Sequence, residues 1–100
     1  MKFAVFFEDD ATVSTDVRRE RMGEHLAFLE RHASRIEAAG PLRSPDGQPV
    51  GGLWLVEAAD PSEVQTLIEK DPFWPTGLRK SVRIFAWNQV FADGRRLITT

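Results

Sequence analysis

Two stretches of this chain are apolar on both alternations, which constrains the fold more than any other feature. In residues 2–8, Phe3, Val5 and Phe7 fall on one side of an extended chain and Ala4 and Phe6 on the other. A strand of that kind is covered on both faces. Glu8-Asp9-Asp10 ends it. Residues 52–58 (Gly-Leu-Trp-Leu-Val-Glu-Ala) read the same way as a central strand, and 82–91 as the last long strand.

Helical signals separate them. Asp16 can cap a helix in which Met22, Leu26, Leu29, Ala33 and Ile36 recur at steps of four and three, with Gly40-Pro41 as its stop. That spacing predicts a first helix over about 16–39. Ser44-Pro45-Asp46-Gly47 is turn chemistry, flanked by Leu42-Arg43 and Val50 as a short hairpin arm. Asp60-Pro61-Ser62-Glu63 is a helix start with a cap, a first-position proline and a capping-box glutamate. Val64, Leu67 and Ile68 give the second helix its buried stripe, and Pro72 ends it near Asp71. Residues 72–81 read as an irregular loop. Asp93-Gly94 is a turn pair that would fold Leu97-Ile98 back or add an edge strand.

The order is β-α-β-β-α-β, so the expected fold is α+β. It is a ferredoxin-like sandwich with an antiparallel sheet and two helices on one face. One hundred residues suffice for one domain, 1–100, and bury only part of what the unfolded chain exposes. Three Trp and seven Phe are generous for that length. The alternation carrying Phe6, Trp54, Val56, Phe85 and Trp87 is too apolar for water once both helices sit on the other side. A second copy packed face to face would cover it, giving a homodimer through the open sheet face. A monomer with an aromatic ligand groove is the alternative.

Charge and composition narrow the function. A net charge of −2 with both signs interspersed makes no basic field for nucleic acid or anionic lipid. No cysteine is present, which excludes disulfides and thiolate chemistry. The apolar run at the N-terminus is too short for a signal peptide or a membrane span. A cytoplasmic protein is expected, with no membrane partner.

Two polar residues stand where apolar ones belong. His25 lies one turn from Met22 and from Leu29, at the border of the first helix's buried stripe. Asp71 continues the apolar face of the second helix. Each has an ordinary explanation, His25 as a hydrogen-bonded structural residue and Asp71 as a helix-end carboxylate bonded to loop N–H groups. Because both helices share a sheet face, the two can also meet. An Asp bonded to one imidazole nitrogen fixes the tautomer and frees the other nitrogen as acid or base. Phe73 and Trp74 could wall a substrate pocket beside Asp71 or simply plug the core. Arg18, Arg19 and Arg21 suit a solvated face, with Arg21 the candidate to reach an anionic substrate. His32 lies about 10 Å along the axis from His25 and no third ligand is evident, so no metal site is expected. Nor is there a phosphate loop or a nucleophile elbow.

Taken together, Glu24-His25-Leu26-Ala27-Phe28-Leu29, Ala38-Ala39-Gly40-Pro41-Leu42, Gly51-Gly52-Leu53-Trp54-Leu55-Val56-Glu57, Glu69-Lys70-Asp71-Pro72-Phe73, Gly77-Leu78 and Val82-Arg83-Ile84 occur in an order that resembles the YCII-related (YciI-like) family over nearly the whole chain. The resemblance implies a ferredoxin-like fold, a dimeric α+β barrel and a His–Asp active site falling on His25 and Asp71. It also implies lyase-like dehydrohalogenation of hydroxylated aromatics as one associated chemistry. Some relatives carry a Ser near the start of the third strand, where this chain has Gly51-Gly52. The expectation is a cofactor-independent small-molecule enzyme, lyase- or isomerase-like, using His25 and Asp71 as an acid–base pair. The alternative is a non-catalytic domain that binds a small ligand or serves dimerisation.

Overall fold

In the computed structural model, which describes residues 1–13 and 16–98, strand β1 (Lys2–Asp9) lies inside a four-stranded sheet. Helix α1 (Asp16–Arg31) follows, then β2 (Ile36–Arg43), β3 (Pro49–Glu57), α2 (Pro61–Glu69) and β4 (Arg79–Ala86). The sheet runs β2-β3-β1-β4 with every adjacent pair antiparallel. This is the α+β ferredoxin-like arrangement. A short 3-10 turn (Trp74–Thr76) joins α2 to β4. A two-stranded ribbon, β5 (Phe91–Ala92) with β6 (Arg95–Arg96), closes the chain.

Register decides which apolar alternation is covered. Phe3 pairs with Val56 and Val5 with Trp54, and Ile84 lies opposite Val5 on the other side. These inner residues form one core with Phe28 of α1 and Val64, Leu67 and Ile68 of α2. Burying a side chain of that size contributes roughly 1.5–3 kcal/mol. Trp54 and Val56 therefore belong to the helix-covered face, not to the open one expected from sequence. The open face holds Ala4, Phe6, Leu53, Leu55, Phe85 and Trp87 around a shallow cavity of about 320 Å³. A strand apolar on both alternations gives no internal sign of which side meets the helices, so the pairing with β1 had to supply it.

The first helix is shorter than its pattern predicts. It ends at Arg31, and residues 36–43, with Gly40 and Pro41, form edge strand β2 instead of a helix tail and stop. Glu37-Ala38-Ala39 suits a helix locally, but pairing along β3 overrides that weak preference. Gly40 is not among the glycines with positive φ. Pro41, which lacks an N–H, fits the sheet edge. The stripe is also turned: Leu26 is half exposed, while His25 and Phe28 are buried. Asp16 is the first helical residue, bonded to Arg19 at 2.6 Å, and the cap position before it lies outside the described residues.

The second helix follows its signals closely. Asp60 Oδ1 accepts from the Glu63 N–H at 2.8 Å, and Glu63 Oε2 accepts from the Ala59 N–H at 3.2 Å. Pro61 opens the helix and Lys70 closes it. The last strand begins at Arg79 and ends at Ala86, earlier on both sides than expected. Asp93 and Gly94 both take positive φ, making the tight turn of the terminal ribbon.

Candidate active site

The polar pair in the two apolar stripes meets in the core. His25 Nδ1 lies 2.8 Å from Asp71 Oδ1, across 46 positions of sequence. Asp71 is 1% exposed and His25 8%. Helix α1 turns His25 inward between Met22 and Phe28, and the bend after α2 drops Asp71 into the same layer. The Asp71 N–H is tied to the Ile68 carbonyl at 3.1 Å, and the Phe73 N–H donates to Asp71 Oδ1 at 3.2 Å. So the carboxylate has both partners considered for it from sequence, the imidazole and the loop backbone.

A third member lies in the stretch that the sequence reads as loop. Arg79, the first residue of β4, brings Nη1 to 2.6 Å from Asp71 Oδ2, with its side chain 7% exposed. The approach is an ion contact without hydrogen-bond alignment, since neither atom has an aligned partner. The guanidinium lies 3.8 Å from the ring centre of Phe7, 5.2 Å from that of Trp54 and 5.5 Å from that of Phe73. Three rings thus hold it in place. Gly77, at φ 77°, makes the left-handed turn that returns the chain from the 3-10 segment toward β4.

Electrostatics settle the protonation of the pair. Burial alone would push the Asp71 carboxyl toward its neutral form. The hydrogen bond to His25, the charge of Arg79 and the Phe73 N–H outweigh it, so the carboxyl sits below its ordinary range. An ionised carboxylate only accepts, so Nδ1 of His25 carries the proton in this bond. In the neutral ring Nε2 is then the free acceptor.

Around the ring, Phe73 lies 4.5 Å away, tilted, and Trp54 stacks at 6.3 Å. Phe73 is buried against His25 and Arg79. Trp74 is 37% exposed in the 3-10 turn and lines none of the cavities beside His25. Arg21 is exposed, reaching Glu24 at 3.3 Å, and also lines neither cavity. Arg18 does: its guanidinium grips both oxygens of Asp9 at 2.9 and 2.8 Å.

Two cavities adjoin at Arg18 and Met22. The smaller, about 90 Å³, is bounded by His25, Arg79, Trp54, Gly52 and the β2 segment Ala39-Gly40-Pro41. The larger, about 860 Å³, lies between the β1–α1 connection, the start of α1 and the β2–β3 hairpin. Among the described residues no group of three or more His, Asp or Glu side chains is placed to hold a metal ion.

A ferredoxin-like domain carrying an inward His–Asp pair beside a cavity defines the class. A model of the YCII-related domain matches residues 1–88, and the chain belongs to that family. Among solved structures, the chain is similar to the 5-chloro-2-hydroxyhydroquinone dehydrochlorinase of Burkholderia phenoliruptrix, determined in complex with 2,5-dihydroxybenzoquinone. The two share 29% identity with a TM-score of 0.76, over 88% of this chain and 94% of that one. A protein of Arabidopsis thaliana aligns at 15% identity with a TM-score of 0.48, over 92% and 97% of the two chains. No curated protein matches the sequence.

Proposed function

We propose that this chain is a small-molecule enzyme in which His25 moves a proton on a cyclic or hydroxylated aromatic substrate. Asp71 fixes the tautomer of the imidazole and stabilises its charged form. The observation that carries the reading is the buried 2.8 Å contact between His25 Nδ1 and Asp71 Oδ1 on a histidine that also lines a cavity. The chemistry is elimination or isomerisation, since no nucleophile beyond the imidazole is evident at the site. In an elimination, Nε2 takes a proton from the substrate, the electron pair it leaves behind forms the new double bond, and the leaving group departs with its own bonding pair. The dehydrochlorinase likeness supports that reaction class.

Cavity size supports one placement of the substrate. The cavity beside His25 measures about 90 Å³. An engineered cavity that takes benzene measures about 150 Å³. The ring of the substrate therefore occupies the larger cleft, with its reacting edge passing Arg18 and Met22 toward His25. The test is turnover of a panel of hydroxylated and halogenated benzenes, read as halide release and by absorbance. Replacing His25 with Ala should cost roughly 10²–10⁴-fold in rate. A folded His25→Ala protein with full activity would discard the idea.

The same reading includes a cytoplasmic homodimer joined through the open sheet face. Phe85 is 46% exposed and Trp87 39%, and Phe6 meets Phe85 edge-on at 5.9 Å. An apolar patch of that kind suits a copy of itself. Sedimentation of the wild type should give twice the chain mass, and Phe85→Glu should return it to one.

A further inference from the structure

A buried guanidinium normally uses its N–H groups. Arg79 carries five of them on three nitrogens. Among the described residues its direct ion-pair partner is Asp71, reached by Nη1 without alignment, with Asp9 and Arg18 acting on its charge from further off. Nε and Nη2 donate to no oxygen among the described residues. The side chain is nonetheless more than nine-tenths enclosed, stacked among Phe7, Trp54 and Phe73, and it lines the small chamber together with His25. Unlike Nη1, these two nitrogens are not among the fully buried unpaired atoms, so an acceptor can reach them, and an anionic one makes the strongest bond to a guanidinium.

We infer that Arg79 is an oxyanion-binding residue of this site. Its free N–H groups receive an ionised oxygen of the substrate (a phenolate, an enolate or a hydroxyquinone oxygen) while His25 handles the proton. The inference rests on the acid–base reading above and narrows its substrate to rings bearing an ionisable oxygen near the reacting edge. Two features besides the unpaired donors favour it. The aromatic cage fixes the guanidinium plane, so the donors are set before any ligand arrives. The other cation at this wall, Arg18, is already engaged by Asp9 through both carboxylate oxygens. Burial works against the charge of Arg79 and Asp71 works for it, the balance leaving the group below its ordinary value. A charge held by one misaligned partner gains from a second.

The test compares two ring probes of similar size. 2,5-Dihydroxybenzoquinone is a vinylogous acid, ionised at neutral pH, whereas benzene-1,4-diol is uncharged there. We expect the wild type to bind the anion more tightly. Arg79→Lys keeps a positive charge facing Asp71 but loses the fork. It should weaken anion binding about 10- to 100-fold and diol binding less than about threefold. Equal affinity of the wild type for the two probes, or binding of neither, overturns the inference. So does an Arg79→Lys protein that loses both alike, the result expected if Arg79 only braces Asp71. Should that variant fail to fold, nitrogen-15 NMR of the wild type decides. The Arg79 Nε–H signal should shift with the quinone and stay still with the diol, and a signal unmoved by the quinone overturns the inference. An active His25→Ala enzyme would remove the acid–base reading and leave the anion preference intact, so the two failures are distinguishable.

Discussion

The two faces of one sheet have been put to different uses, although the same strands supply both. On the inner face Phe7 is packed against Trp54 at 5.0 Å and roofed by the Arg79 guanidinium. One residue earlier, Phe6 stands on the outer face at 36% exposure, touching Phe85. Both faces are apolar. Only the inner one contains buried charge, and only the inner one has helices to close over it. Polar residues are costly in a core unless they answer one another, as His25, Asp71 and Arg79 do. The outer face carries nothing that needs such company. The lesson is that apolarity marks surfaces to be covered, whereas buried polar groups mark places where side chains must be partnered.

The contrast breaks most readily at Asp71. Asp71→Ala leaves Arg79 enclosed without its ion-pair partner and His25 without its acceptor, and should lower stability by about 3–5 kcal/mol in urea unfolding. Loss of less than about 1 kcal/mol would mean that the pair is not a buried unit. Neighbouring substitutions sharpen the comparison. Phe7→Ala should cost about 3–5 kcal/mol at any protein concentration. Phe6→Ala should cost about 1 kcal/mol or less in the dilute limit, and more as concentration rises if the outer face joins two copies. A Phe6 effect that is large and independent of concentration would erase the distinction between the faces.

Acid offers a subtler probe. The Asp71 carboxyl is held below its unfolded value of about 3.9, so its ionised form stabilises the fold above that pH. The contribution is lost as pH falls through the folded value. Asp71→Asn should be less stable than wild type near neutrality and should lose less on acidification, a difference seen in urea midpoints between pH 6 and 3. Parallel curves for the two proteins would contradict it. The smallest expected effect lies at the edge of the inner layer. Asp60→Ala removes the bond to the Glu63 N–H and should cost about 1 kcal/mol without altering any probe-binding ratio.

Much of this was legible in the sequence wherever a residue type was tied to a local geometric need. Asp60, Pro61 and Glu63 mark a helix start through short-range bonds, and they formed one. His25 and Asp71 stood out because each interrupts a hydrophobic stripe, and a ββ-split topology puts both helices on one side. The reading went astray where long-range pairing decides. Within Ile36–Arg43 only Leu42-Arg43, beside the turn, carries a strand signal, and the pairing with β3 supplies the rest. Trp54 and Val56 were assigned to the wrong face because alternation gives a period without a direction. Counting apolar residues also turned the α1 stripe toward Leu26, because the true inward position is a histidine. Arg79 escaped notice inside a stretch read as loop. One signal could have found it: a carboxylate as buried as Asp71 demands a cationic neighbour, and Arg79 follows the loop that carries it.

Gly51 and Gly52, neighbours in β3, differ in what they permit. A methyl built on Gly51 would stand 1.8 Å from the Phe7 carbonyl oxygen, so that position admits no side chain without moving the backbone of β1. At Gly52 the nearest atoms would be 3.5 and 3.6 Å away, an ordinary contact, and this residue borders the chamber beside His25. One added carbon at position 52 would therefore narrow the chamber beside His25 without displacing the backbone of β1, whereas the same carbon at position 51 would have to displace it.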